Sequence, residues 1–354
     1  MSLQDLMPAN ASVIHIARIA MKTLARCCLA FMCLATLPLA AQVGWSQYEI
    51  AGKDDAAAAT IVALYYPSLA PARDLPMGPF TVHAAPRGAP AATVKGLIVL
   101  SHGLGGSELG HSRLAEALAA HGYLVAALRH PGDNWADHSL MTKAPERYFS
   151  ERPRQVSRVI DALLADPQWQ DRIARDAKGP RIGALGHSAG GYTVLALAGG
   201  VADLAQAARH CREEGKDDPL FCGTGNTERP GAPAQAGPPL KDPRVRAVVA
   251  MAPVGVLFTS ESLAKVQIPV AVYAGAKDRW LVPRFHALWV AKYLPGAELH
   301  LVPNAWHFAF MDTPNMPIQT PDGDVAADPP GFDRAGFLKG LGPDLAAFFD
   351  QALK

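Results

Sequence analysis

Charge is scarce in this sequence and balanced where it occurs. Only 18% of the 354 residues are charged, with 33 Lys+Arg against 32 Asp+Glu. The net charge of +1 leaves no basic stripe for a nucleic acid and no polybasic patch for a membrane surface. A nucleic-acid partner is therefore not expected. Cysteine is also scarce, at five residues, with no Cys-x-x-Cys and no Cys/His cluster at zinc spacing. No metal site is expected on that ground. Repeats of fixed period are missing, which excludes a solenoid or a propeller. The 31 glycines and 30 prolines follow no Gly-X-Y period and suggest many tight loops instead of a collagen helix. What is abundant is apolar: 49% of the chain is hydrophobic, which excludes a disordered protein. The length suits one large α/β domain or two small ones.

The N-terminus reads as a leader. Residues Leu29 to Ala41 form an apolar run, LAFMCLATLPLAA, shorter than the roughly 20 residues of a membrane span. It follows Arg18, Lys22 and Arg26 and ends in small residues, the pattern of a secretory signal peptide over residues 1–41. A retained N-terminal anchor is the alternative. Met21-Lys22-Thr23 is a more natural start than Met1. Removal of the leader takes three of the five cysteines with it. Cys211 and Cys222 remain, an even number in a chain bound for an oxidising compartment, and a disulfide between them is expected over two free thiols.

From residue 42 onward the pattern is one of alternating strands and helices. Short runs rich in Val, Ile and Tyr between Val43 and His83 predict antiparallel strands at a sheet edge. A continuous apolar run at 96–101 predicts a strand buried on both faces, 123–128 and 181–185 predict further buried strands, and strands are also predicted at 245–250, 269–274 and 298–302. Helical patterns lie between them, near 114–121, 156–164, 192–198, 284–293 and 333–353. The alternation predicts a mainly parallel sheet flanked by helices, with ligands at the carboxyl ends of the strands. Residues 199–243 break it and read as an insertion over the active face, pinned by the disulfide. Asp322, Asp324 and Asp328 lie in a second long loop without EF-hand spacing, and a solvated loop is expected there.

Gly186-His187-Ser188-Ala189-Gly190 fits Gly-x-Ser-x-Gly, follows a predicted strand and opens a predicted helix. That context marks a nucleophile elbow, with Ser188 raised above the sheet. A serine hydroxyl needs a base and an acid to orient it. Asp278 follows the strand 269–274 and His307 follows the strand 298–302, in the chain order Ser, acid, His. Asp242 and Asp312 are rival acids, and His187, His286 and His300 are weaker candidates for the base. Ser101-His102-Gly103-Leu104-Gly105-Gly106 is a glycine-rich loop at a strand end. The Leu104 and Ala189 amides are the expected oxyanion donors, with His102 supporting the loop. Gly-x-Gly-x-x-Gly and Gly-x-x-x-x-Gly-Lys are both missing from that loop, so no nucleotide and no other cofactor is expected. Trp135 and Trp306 are candidates for the pocket wall.

Several of these segments together resemble the bacterial "predicted dienelactone hydrolase" group, close in pattern to the platelet-activating-factor acetylhydrolase family. They are His102-Gly-Leu-Gly-Gly106, Leu114 to Val125, His130-Pro-Gly, Gly186 to Tyr192, Asp242 to Pro253, Glu261 to Val266, Gly275-Ala-Lys-Asp278 and His307-Phe. The resemblance runs over roughly residues 43–350. It implies an α/β-hydrolase fold and a cofactor-free serine esterase with Ser188, Asp278 and His307 as triad. One departure matters: dienelactone hydrolases use a cysteine nucleophile, and position 188 is serine, so the group's name says little about the substrate. The expectation is a periplasmic or secreted carboxylic-ester hydrolase acting on a small-molecule, lipid or polymer ester, without stable membrane insertion after cleavage. A peptidase or amidase on the same triad, or a non-catalytic binding protein on the scaffold, are the alternatives.

Overall fold

The structure is a computed structural model, and it describes residues 42–52, 58–223 and 240–354. The leader expected at 1–41 lies outside the described residues, as does the Pro-rich end of the 199–243 segment. The strands are β1 (Gln42–Ile50), β2 (Thr60–Ser68), β3 (Arg73–Met77), β4 (Phe80–Pro86), β5 (Leu97–Ser101), β6 (Leu124–Leu128), β7 (Arg175–Asp176), β8 (Gly179–Pro180), β9 (Ile182–His187), β10 (Val245–Met251), β11 (Val270–Gly275), β12 (Glu298–Val302), β13 (Gln319–Thr320) and β14 (Gly323–Asp324). The helices are α1 (Ser112–Ala120), α2 (Ser139–Lys143), α3 (Tyr148–Ala165), α4 (Ala189–Ala198), α5 (Leu204–Glu214), α6 (Pro219–Gly223), α7 (Ser260–Leu263), α8 (Ala287–Tyr293) and α9 (Arg334–Ala352).

Ten strands form one sheet in the order β12-β11-β10-β9-β5-β6-β2-β1-β4-β3. The half from β12 to β6 is parallel throughout. The other half is antiparallel at β6–β2, β2–β1 and β4–β3. Only β1–β4 departs from the antiparallel edge expected there, with a short parallel contact at Gly44–Ala85 and Trp45–Pro86. This is the mixed, mostly parallel sheet of the α/β-hydrolase fold.

Strand β5 is buried at every position, as its unbroken apolar run predicts. Leu97 and Val99 face one core, which holds Val156, Ile160 and Val290 of α3 and α8. Ile98 and Leu100 face the other, which holds Leu114 and Leu118 of α1 and Leu341, Leu345 and Phe349 of α9. The period of two thus separates two helix layers, one on each side. Helix α3 begins eight residues before the stripe expected from Val156. Its interior Pro153 and the preceding 3-10 turn at Pro145–Arg147 mask the start in sequence. Helix α8 begins only at Ala287, since the turn that follows Pro283 occupies the first part of the expected span.

Candidate active site

Strands β5, β9, β11 and β12 all run in the same direction, so the loops that follow them meet at one edge of the sheet. Ser188 sits between β9 and α4 with φ 58 and ψ −117. A non-glycine residue at positive φ is strained, and the strain lifts the side chain out of the strand-to-helix turn. The neighbouring glycines are required by contact. A Cβ on Gly186 would lie 2.1 Å from the Gly190 carbonyl oxygen, and one on Gly190 would lie 1.9 Å from that of Ser101. The Ser188 amide donates to the Met251 carbonyl at 2.9 Å, which ties the turn to β10. Ala189 is the first residue of α4, so its N–H has no intrahelical acceptor and stands beside the serine.

Asp278 follows β11 and is buried. Its Oδ1 accepts from the amides of Trp280 (2.9 Å) and Leu281 (2.8 Å), which leaves Oδ2 to accept from His307 Nδ1 at 2.7 Å. The two loops are also stitched by backbone bonds, Ala276 to Val302 (2.9 Å) and Lys277 to Ala305 (3.0 Å). His307 is buried as well, and with Nδ1 donating to Asp278 its Nε2 is the nitrogen left to act as a base. The carbonyl oxygen of His307 accepts from His187 Nε2 at 2.9 Å. Burial first, and then the nearby His307, holds the His187 imidazole well below its usual range, so it stays a neutral donor. The structure thus brings His187 beside the site as a support for the His307 loop.

The rivals lie elsewhere. Asp242 pairs with Arg244 (2.7 Å) and Ser157 (2.9 Å) at the start of β10, the opposite end of that strand. Asp312 accepts from the Arg113 amide at 3.1 Å. His286 pairs with Asp218 at 2.9 Å, and His300 is exposed and stacked on Tyr273.

The loop after β5 packs against the serine: a Cβ on Gly103 would lie 3.2 Å from Ser188 Cβ. The Gly103 carbonyl accepts from His102 Nδ1 (2.6 Å) and from the Gly106 amide (3.2 Å). Since a trans peptide sets its N–H opposite its C=O, these two bonds turn the Leu104 N–H away from the loop interior. His102 Nε2 in turn accepts from the His130 amide at 3.2 Å. Burial, with the Arg152 guanidinium adding to it, brings His102 down to about 4, which keeps this neutral tautomer in place.

Beneath the loop is a polar network that the sequence reading missed. Asp133 accepts from the Gly105 amide (2.8 Å) and from the Tyr148 hydroxyl (2.7 Å), and it pairs with Arg152. Arg152 also donates to the His102 carbonyl and, at 3.2 Å, to Thr193 Oγ1. Both members of the pair are fully buried. The available signal was an arginine four residues before Val156 on the apolar stripe of α3, where a charge needs a buried partner.

A small cavity of about 40 Å³ opens at Ser188 and is lined by Leu104, Ala189, Tyr148, Phe149, Trp280 and Phe221, among others. Trp280 also stacks on the His307 ring, with centroids 5.9 Å apart and planes 22° apart. Trp135 and Trp306 are not among the lining residues. Trp135 is 63% exposed and lies near Arg129, and Trp306 lies under Arg279 at 4.2 Å. Their place at the pocket falls to Trp280, two residues after the acid.

Cys211 and Cys222 form a disulfide with Cα atoms 5.4 Å apart. His210 lies close enough to both sulfurs to suggest a metal cluster, but bonded sulfurs are not thiolate ligands. The acidic loop is tied down instead of solvated. Asp322 pairs with Arg279 (2.8 Å), Asp324 accepts from the Ile318 amide (3.0 Å) and Asp328 pairs with Arg334 (2.9 Å). Among the described residues no helix is long and apolar enough to cross a membrane.

Comparisons with known proteins give the fold. The family described as platelet-activating factor acetylhydrolase, isoform II, matches residues 92–159. That stretch holds Leu104, Asp133 and Arg152 and stops short of Ser188. No curated protein matches. Among solved structures, a ferulic acid esterase from Streptomyces cinnamoneus is 24% identical, with 91% of this chain and 92% of that one covered and a TM-score of 0.59. A dienelactone hydrolase from Anabaena variabilis is 14% identical, with coverage of 88% and 100% and a TM-score of 0.48. A predicted CIB-like hydrolase from Thermoplasma acidophilum is 12% identical, with coverage of 86% and 99% and a TM-score of 0.46.

Proposed function

We propose that this protein is an exported serine hydrolase that cleaves carboxylic esters through an acyl-enzyme. The observation that carries the reading is the Asp278–His307 bond of 2.7 Å at the strand ends beside the strained Ser188 turn. In the proposed reaction His307 Nε2 takes the Ser188 proton as Oγ attacks the ester carbonyl. The Leu104 and Ala189 amides stabilise the oxyanion, and His307 then protonates the leaving alcohol. Water repeats the sequence on the acyl-enzyme, releases the acid and restores Ser188. Asp278 keeps the proton on Nδ1 and stabilises the imidazolium. The apolar cavity favours an ester over a charged substrate. The relation to the dienelactone hydrolase and platelet-activating-factor acetylhydrolase groups belongs to this same reading, with the matched segment 92–159 in its support.

The test is a fluorophosphonate probe followed by peptide mapping, with ester and amide substrates of one acyl group run in parallel. A label on Ser188 and turnover of the ester alone is the expected result. Faster turnover of the amide identifies a peptidase, and no label with no turnover identifies a binding protein. Export rests on the leader pattern and accords with the disulfide. Mass spectrometry of protein from the periplasm or medium is expected to find an N-terminus near residue 42.

A further inference from the structure

Phe221 comes from the segment that interrupts the strand–helix alternation, yet it lines the cavity at Ser188. Its position is set from several sides. Cys222, the next residue, is bonded to Cys211 of α5. Asp218, three residues before it, is fully buried, and its Oδ2 accepts from His286 Nε2 and from His210 Nε2, each at 2.9 Å. His286 belongs to the body of the domain. Its Nδ1 accepts from the Gly255 amide at 3.2 Å, and the adjacent Val254 amide donates to the Ser188 carbonyl at 3.3 Å. The Phe221 ring meets the His286 ring edge-on at 4.9 Å. Asp217 adds an outer tie to Arg284 at 2.6 Å. Burial alone would raise the Asp218 carboxyl. The two imidazole N–H groups outweigh it and hold the carboxyl at about 2, so the tie persists at any ordinary pH.

The cavity that Phe221 helps to line is small, about 40 Å³, against roughly 300–1,000 Å³ for the site of a drug-sized ligand. In an acyl-enzyme the acyl group stays on Ser188 while the alcohol departs, so a small pocket that meets Ser188 suits the acyl part. We propose, on the esterase reading above, that Phe221 is the specificity-determining wall of an acyl subsite limited to short acyl chains. In this proposal the Asp218–His286–His210 cluster and the Cys211–Cys222 disulfide are its positioning elements.

The experiment measures kcat and KM on p-nitrophenyl esters from acetate to octanoate for the wild type, Phe221→Ala, Phe221→Leu and Asp218→Asn, with a fluorophosphonate label as control. The wild type is expected to prefer the shortest acids. Phe221→Ala is expected to raise the octanoate-to-acetate ratio of kcat/KM by at least about tenfold, the scale at which hydrophobic pockets discriminate. Phe221→Leu, which keeps the site apolar and filled, guards against loss of fold and moves the ratio the same way by less. Asp218→Asn shifts the ratio in that direction too, whereas a merely structural role would lower all esters alike. An unchanged ratio in a protein that still labels at Ser188 overturns the acyl wall and leaves the esterase reading intact. A shift that follows the alcohol chain length overturns the acyl assignment. No label and no turnover in the wild type overturns the esterase reading and the subsite with it.

Discussion

The Gly105 amide donates to Asp133 Oδ1 at 2.8 Å, so a buried carboxylate 28 residues away fixes the loop that carries the Leu104 amide. Arg152 grips the other side of the same loop at the His102 carbonyl while it neutralises Asp133. The candidate oxyanion donor is therefore held from both flanks by one ion pair.

Arg152→Gln leaves Asp133 without its guanidinium and releases the His102 carbonyl. Breaking a buried pair typically costs about 3–5 kcal/mol of stability. Displacing a catalytic group by about 1 Å can cost about a hundredfold in rate. Both effects are expected, the first as a lower urea midpoint and the second as a fall in kcat larger than any change in KM. A variant with unchanged kcat would show that the loop holds its shape without the pair.

Asp278→Asn tests the orientation of His307. The amide keeps the size of the side chain, but it no longer enforces a proton on Nδ1. A loss of about 10⁴ in kcat is the scale for such a change. His307→Ala is expected to abolish turnover with little loss of fold, as judged by its melting temperature. Residual wild-type activity in either variant points to another base.

Much of this site was legible in the sequence because strand ends are legible. Ser188 and Asp278 each follow a compact apolar run, and β9 and β11 are buried at every position as such runs predict, whereas His307 follows the exposed edge strand β12, where Leu alternates with Glu and His. The glycines around Ser188 carried the elbow, and the structure shows the backbone contacts that demand them. The pocket wall was not legible in the same way. Trp135 and Trp306 follow strands too, yet one faces solvent and the other lies under an arginine. Which aromatic turns inward depends on loop paths that no periodicity encodes. Asp133 and Arg152 escaped for a related reason, since their meaning lies in a pairing across 19 residues. Phe221 escaped because a disulfide and a buried carboxylate, not a strand or helix register, bring it to the cavity.

Burial holds several histidines neutral. His111 is brought down to about 3 and His102 to about 4, and His130 and His187 are held well below the usual range. The unfolded chain takes up these protons near pH 6.5, but the fold refuses them, so their stabilisation is full at higher pH and is lost as pH falls. Buried Asp312, raised to about 7, and half-buried Glu116, raised to about 8, act in the opposite sense, because the fold keeps their protons longer. Burial also raises Asp322, and the four depressed histidines still outnumber the three raised acids. The net expectation is falling stability between about pH 6.5 and 4, at about 1.4 kcal/mol per pH unit for each net proton. Urea midpoints across that range check it, and a flat or rising trend towards acid would contradict it.

Closure of the short loop between Cys211 and Cys222 is worth about 3 kcal/mol on the chain-entropy view. A Cys211→Ser/Cys222→Ser variant is expected to melt below the wild type, and reductant is expected to lower the wild type alone. Identical melting with and without reductant would mean that the bond adds nothing to the fold.

The most direct measurement is hydrolysis of p-nitrophenyl acetate by the wild type and by Ser188→Ala at matched concentration and neutral pH. The account predicts turnover by the wild type and a loss of at least about 10³ in the variant, with circular dichroism unchanged. Equal turnover by the two proteins, or none by the wild type, would contradict it.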